Sequence, residues 1–257
     1  MNLGSTRQNI HMLTMATGIV ALLGLLNYQM FTLSHILLAM ISFYILNILG
    51  VWMTLHRYYS HKSFEFKNRF LKWTFTALAV ITGRGSPMTW AYLHRRHHKY
   101  SDTDQDPHNP RHIGYPIFNF DHFKKEEAEK TQLFLIKDLM TSEQLFINKW
   151  YILILAVFCI TFAVVNPVLF YFMWVIPAVL IQISQTNFNY FGHTSGYRNF
   201  ETSDNSRNNP WLFPFILGEA WHNNHHNNPA AYSTTVNQRE IDPMANFINI
   251  IKIKEHI

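Results

Sequence analysis

Residues 35–61 read HILLAMISFYILNILGVWMTLHRYYSH, and this stretch decides the fold. From His35 to Leu55 there is no Asp, Glu, Lys or Arg. One bilayer crossing takes about 20 apolar residues, and this segment has that length. It then turns abruptly polar and delivers a histidine pair, His56 and His61. The uncharged run begins earlier, at Met12, and a second one extends from Trp150 through Tyr197. Each run is long enough to cross a membrane twice.

The spacing predicts four spanning helices, at about 12–31, 35–55, 150–165 and 168–186. Polar hairpin tips fall at Asn27–Ser34 and Asn166–Pro167. The expected fold is an all-α integral membrane protein, a single domain over 1–257. Its two helical hairpins would carry a cytoplasmic helical cap made of residues 56–149 and 187–257. Phe70–Ile81 is apolar but too short to span, so it reads as interfacial or re-entrant. It ends at the breaker cluster Gly83-Arg84-Gly85-Ser86-Pro87, with a new helix from about Met88. Ser101–Phe120 reads as a loop, and 121–149 as one or two amphipathic surface helices. The N-terminal apolar stretch lacks a small-residue cleavage site and reads as a span, not a signal peptide.

Charge supports that topology. Charged residues make up 14% of the chain, against roughly 25% in soluble domains. Of the Lys and Arg, Arg7 precedes the first apolar block, fifteen lie between Arg57 and Lys149, and five follow from Arg198 to Lys254. The hairpin tips carry none, which places both termini and the middle segment on the cytoplasmic side. The net charge of +5 is therefore assigned to anionic lipid head groups, not to nucleic acid. The lone Cys159 lies in an apolar run and reads as packing.

Eight of the fifteen histidines fall into three groups. His56 and His61 stand five apart. His94, His97 and His98 are spaced i, i+3, i+4, on one face of a helix, and His222, His225 and His226 repeat that spacing. One such triplet arises by chance roughly one time in twenty at this histidine frequency; two triplets and a pair do not. Clustered imidazoles repel when protonated, and metal coordination relieves this. Eight rings exceed the capacity of one ion, so two ions of octahedral inclination fit best, with iron the redox choice. The Glu-x-x-His pairs of carboxylate di-iron bundles are absent from the expected spans. His193, four residues after Asn189, is as well placed to be a ligand as not. His11, His35, His108, His112, His122 and His256 read as interfacial or surface histidines.

These motifs resemble the membrane fatty acid desaturase family, in its acyl-CoA Δ9 (stearoyl-CoA type) branch with a bacterial character. His56–His61 with the following Lys62-Ser63-Phe64 resembles the first histidine box. His94-Arg95-Arg96-His97-His98 and the tail to His108 resemble the second. Gly218-Glu219-Ala220-Trp221-His222 through His226 resembles the third. Gly192-His193, Gly196-Tyr197-Arg198, Asp204–Asn209 and Glu240–Pro243 match flanking segments.

The resemblance implies that nine histidines, the eight above and His193, bind two irons, with Asn189 joining through a water. It also implies an O2-dependent fatty acyl desaturase inserting a cis double bond, Δ9 in position. The substrate would be an acyl-CoA, acyl-carrier-protein or acyl-lipid chain. The electrons would come from a separate donor such as ferredoxin, rubredoxin or cytochrome b5, since no His-Pro-Gly-Gly haem motif occurs. Two departures stand out: Tyr92-Leu93 occupies the place of an Arg-Asp pair common in animal acyl-CoA members, and Ala220 replaces a glycine.

Beside the boxes, Asp106 reads equally as a carboxylate holding a ligand histidine or as a cap before Pro107. Glu219 is a second candidate to hold a ring N–H. Trp90, one turn before His94, is a candidate to line the acyl tunnel and otherwise an interfacial anchor. Arg95, Arg96 and Lys99 are candidate head-group contacts. Two competing readings remain: a di-iron hydroxylase or ketolase of alkanes, carotenoids or sterols, disfavoured by the four-residue gap of the first box, and a non-enzymatic haem- or metal-binding membrane protein.

Overall fold

A computed structural model describes residues 16–110 and 130–253. Every regular element among them is helical. Helix α1, Ala16–Leu25, is short and apolar. Helix α2, Leu33–Ser60, α5, Ser142–Val165, and α6, Pro167–Thr194, are each long and apolar enough to cross a membrane. Between them lie α3, Arg69–Ile81, and α4, Pro87–Tyr100. The C-terminal third contributes three short helices: α7, Phe213–Ile216, α8, His222–Asn227, and α9, Pro243–Ile251.

Helix starts follow local chemistry. The side chains of Thr32, Asn68, Ser86, Thr141, Asn166 and Asp242 each accept a backbone N–H in the first turn of the helix they precede. Pro87, Pro167 and Pro243 follow at the first helical position, where no N–H is needed. Gly83 and Gly85, with φ of 76° and 109°, provide the turn between α3 and α4 that the breaker cluster predicts.

Several boundaries differ from expectation. The sequence ends the second span at Leu55, because Arg57 follows it. The helix instead continues to Ser60. Arg57 is 1% exposed and its charge is met inside the protein, by Glu219 at 2.8 Å from Nε and Asp242 at 2.8 Å from Nη1. With 28 residues α2 exceeds the about 20 that one bilayer crossing takes. Its last fifteen residues, 46–60, include none that is exposed and belong to the protein interior. Helix α6 likewise runs to Thr194, not to 186, because its polar Gln182, Gln185 and Thr186 face protein. Helix α5 begins at Ser142, so the segment expected as surface helix is partly the start of a span.

The described part of the first expected span is α1. Tyr171 of α6 donates to the carbonyl of Ala21 at 2.8 Å, and a Cβ on Gly24 would lie 2.3 Å from the Tyr171 ring. Of the single histidines, His35 packs on Phe172 and its Nδ1 lies 2.7 Å from the Met30 carbonyl. His11, His112, His122 and His256 lie outside the described residues.

Candidate metal centre

The second half of α2 is wound with hydrogen bonds five residues apart. This π-helical stretch runs from Ile45 to Ser60, and its last turn is closed by His61 N–H to the His56 carbonyl at 3.2 Å. In an α-helix, residues five apart diverge by about 140° around the axis. Here they stack, and the His56 and His61 rings are 4.8 Å apart, edge to face. π-Helical turns are rare and concentrate at functional sites.

Four elements bring nine histidines together in two sets. His56, His61, His94, His98 and His225 form one; His97, His193, His222 and His226 form the other. Within each set the ligand nitrogens lie within 4.8 Å of one another. Both triplets are divided between the sets: α4 gives its i and i+4 members to the first and its i+3 member to the second. Helix α8 does the reverse. His193 stands with His222, Nε2 to Nε2 at 3.0 Å, while Asn189, one turn earlier on α6, is half-buried.

The Nε2 atoms converge. His61 and His94 approach to 2.7 Å, His94 and His98 to 3.0 Å, His56 and His225 to 3.1 Å, and His98 and His225 to 3.1 Å. Four rings have their Nδ1 atoms turned to carboxylates: His56 to Glu219 at 3.0 Å, His97 to Asp106 at 2.9 Å, His193 to Asp102 at 3.1 Å, and His226 to Asp204 at 2.6 Å. A carboxylate on Nδ1 fixes the proton there and leaves Nε2 as a lone pair. Several lone pairs facing one another at such distances need a cation between them, so the donor set fits a metal site.

Electrostatics favour the ligand form. Burial first, and then neighbouring imidazoles, push His61, His94, His98, His222 and His225 well below the usual histidine range. Burial takes His226 down to about 4, against the pull of Asp204. Burial opposes the charge on His97 too, but Asp106, together with Asp102 and Asp204, outweighs it and raises that ring. Burial raises the partner carboxylates of Asp102, Asp106, Asp204 and Glu219, but their histidines, together with Arg57 at Glu219 and backbone or hydroxyl donors at the aspartates, hold all four below their ordinary range.

Asp106 both contacts His97 and caps the turn, accepting the backbone N–H groups of Asp102 and His108 at 2.8 Å each. Glu219 is wholly buried between His56 and Arg57. Sequence reasoning missed Asp102 and Asp204, although both lie in the quoted motifs. Neither stands at helical spacing from the ring it holds, so only the fold pairs them. Asn223 and Asn224, between the third-box histidines, are structural. Asn223 Oδ1 accepts from the backbone of Asn199 and Phe200, and Asn224 Nδ2 donates to Glu240 at 2.9 Å. Trp90 is half-buried, and its indole N–H has no hydrogen-bond partner among the described residues.

Arg95 serves the fold. Its guanidinium donates to the carbonyls of Tyr59, Ser60 and Leu135 and to both oxygens of Asp138. It is thereby removed from the candidate head-group contacts.

Residues 31–236, which hold all nine histidines, match the family model described as fatty acid desaturase. The chain belongs to the fatty acid desaturase family. It is 29% identical over 207 residues to an sn-1 stearoyl-lipid 9-desaturase of Anabaena variabilis, covering 73% of this chain and 70% of that one. With an sn-2 palmitoyl-lipid 9-desaturase of Nostoc sp. it shares 27% identity over 240 residues, 88% of this chain and 81% of the relative. An Arabidopsis thaliana Delta-9 desaturase-like 2 protein is 30% identical over 190 residues, 71% of this chain and 62% of its own. Family membership makes the chain an oxidoreductase of the desaturase type, and its histidine sets are able to hold a metal centre. The acyl-CoA branch expected from the sequence is not singled out, since two of these relatives are named for lipid-bound acyl chains.

Proposed function

We propose that residues 1–257 form one membrane domain that desaturates a lipid-bound fatty acyl chain at Δ9, using two irons. The observation that carries this reading is the pair of convergent histidine sets within a chain of the desaturase family. The five-membered set would hold one iron. The four-membered set, with Asn189 through a water, would hold the other. When bound, the irons supply with O2 and two electrons the oxidising power that no side chain has for unactivated C–H bonds. The balance is one CH2–CH2 unit, O2, two electrons and two protons giving CH=CH and two waters.

The chain's own residues orient and enclose. Glu219, Asp102, Asp106 and Asp204 fix the rings. Trp90, one turn from His94 with an unmet buried N–H, is proposed to line the acyl path. Helix α1 completes a first hairpin with α2, giving four spans in all. The cap and both termini then lie on the cytoplasmic side, where a separate small redox protein delivers electrons.

Lipid-bound acyl chains are favoured as substrate by the named relatives. They are also favoured by Tyr92, which is 2% exposed and offers no charge where animal acyl-CoA members carry Arg-Asp. Acyl-CoA is the second reading, supported by the box motifs themselves.

Expression in a strain lacking unsaturated fatty acids tests the activity, with double-bond positions read by mass spectrometry. Wild type is expected to restore Δ9 cis-monoenes and His97→Ala to abolish them. Hydroxylated products without new double bonds would overturn the proposal. Feeding labelled intact phospholipid, against labelled acyl-CoA with lipid transfer blocked, separates the carriers.

A further inference from the structure

The segment just before the third histidine box has an apolar outer face that the metal centre does not use. Pro210–Leu212 forms a tight turn and leads directly into the four-residue α7. Leu212 and Ile216 are buried and root the segment in the cap, at 2% and 0% exposure. Trp211 and Phe215, on the other side, are 51% and 48% exposed. Pro214 between them is also exposed. Five of the seven residues from 210 to 216 are aromatic or proline, and none is charged.

The position of this face identifies what covers it. Tyr44 of α2 donates its hydroxyl to the Pro214 carbonyl at 2.6 Å, and Asn47 Nδ2 donates to the Phe215 carbonyl at 2.9 Å. These contacts fall where α2 changes character. Up to that level its outer residues are bare: Leu33, Ile36, Leu37, Met40, Ile41, Tyr44 and Ile45 are all exposed. From Leu46 to Ser60 no residue is exposed. The segment is thus pinned to the last lipid-facing turn of a spanning helix. Trp211 also packs on Phe191 of α6, edge to face at 4.8 Å. Exposed aromatics at the end of a lipid-facing surface are the pattern of an interfacial belt.

We infer that Trp211–Phe215 dips into the cytoplasmic leaflet as a wedge, its partner being the lipid bilayer itself. It thereby seats the cap that carries Glu219 and the third box at a fixed depth. Backbone groups in such a wedge need partners, because lipid offers none. Tyr44 and Asn47 supply them for Pro214 and Phe215. The inference rests on the membrane-spanning reading of α2 and α6 but adds a contact outside the spans.

Site-directed spin labelling of the full chain in phospholipid vesicles tests it, in a Cys159→Ser background. Phe215→Cys and, independently, Trp211→Cys carry the label. Leu153→Cys on α5 reports a span, and Arg239→Cys reports the aqueous cap. Relative accessibility to O2 over a water-soluble nickel chelate is expected to be at least about fivefold higher at 215 and 211 than at 239, and lower than at 153. A nickel-exposed label at both 215 and 211, with 153 in lipid, would overturn the wedge and leave the spans standing. It would assign the patch to a protein partner instead. A nickel-exposed label at 153 would overturn the spanning reading, and the wedge with it.

Discussion

Replacing Glu219 by Gln isolates what one buried carboxylate does for the proposed iron centre. Its two oxygens are divided, Oε1 to Arg57 Nε at 2.8 Å and Oε2 to His56 Nδ1 at 3.0 Å. Arg57 Nε donates to Oε1, and the His56 ring turns Nδ1 toward Oε2 as a close charge contact. A glutamine has one oxygen and one NH2, so whichever way the amide turns, one donor faces another donor. Breaking a buried ion pair typically costs about 3–5 kcal/mol. Here Asp242 remains 2.8 Å from Arg57 Nη1, so the lower end, about 3 kcal/mol of folding stability, is expected. The effect on metal is separate. Loss of the group orienting a ligand histidine lowers metal affinity about 10–100-fold, or about 1.4–2.7 kcal/mol. Iron retained against rising chelator, read by metal analysis with helix content followed by circular dichroism, measures it. Glu219→Gln is expected to release iron at 10–100-fold lower chelator. Asp138→Asn, which weakens contacts to Arg95 and Lys62, is expected to follow wild type. Wild-type iron retention in Glu219→Gln would refute the argument that this carboxylate orients His56.

Three further outcomes follow from the same geometry. His226 sits at about 4 in the fold against about 6.5 in a free chain, so the unfolded state takes up its proton first as pH falls. The stability held by the neutral ring is complete above about 6.5 and lost toward 4. His61, His94, His98, His222 and His225 shift the same way, while His97 opposes them. The thermal midpoint of metal-free protein should therefore fall across that window, and a flat profile would contradict the burial argument. Gly218→Ala would place a Cβ 2.3 Å from the Asp242 carboxylate, so about 1–3 kcal/mol of overpacking and a lower midpoint are expected. Arg95→Lys replaces a fork that serves three carbonyls and Asp138 with a single ammonium, and should cost about 1–3 kcal/mol in the same assay. An unchanged midpoint in either variant would count against the contact it removes.

The apolar runs and the histidine triplets were legible because both depend on spacing along one helix. Charge-free segments of spanning length became α2, α5 and α6, and i, i+3, i+4 histidines emerged on α4 and α8. What sequence concealed was pairing at a distance. Arg57 read as the polar end of a span and as part of the positive cytoplasmic count, yet Glu219 and Asp242 neutralise it in the interior. Arg95 read as surface charge and is an internal clamp. Asp102 and Asp204 meet rings on α6 and α8 only because the loops after α4 and α6 fold back over the histidines. Such pairs are set by tertiary packing, and no local period announces them.

Division of the triplets explains why that packing has to be so well defined. On α4, His94 and His98 stand on one side of a stripe and His97 on the other, so a single helix face serves two sets at once. Helix α8 meets it with the opposite allocation, one ring to the first set and two to the second. Five and four nitrogens result only if α2 contributes both of its histidines to the same set. An α-helical turn through 56–61 would send His61 about 140° away from His56. The π-helical winding of α2 removes that divergence, and it does so in the buried half of the helix. The five-residue spacing of the histidines in HRYYSH is therefore the sequence trace of a backbone geometry. It separates the two candidate ligands by one π turn just as i, i+4 separates them by about one α turn.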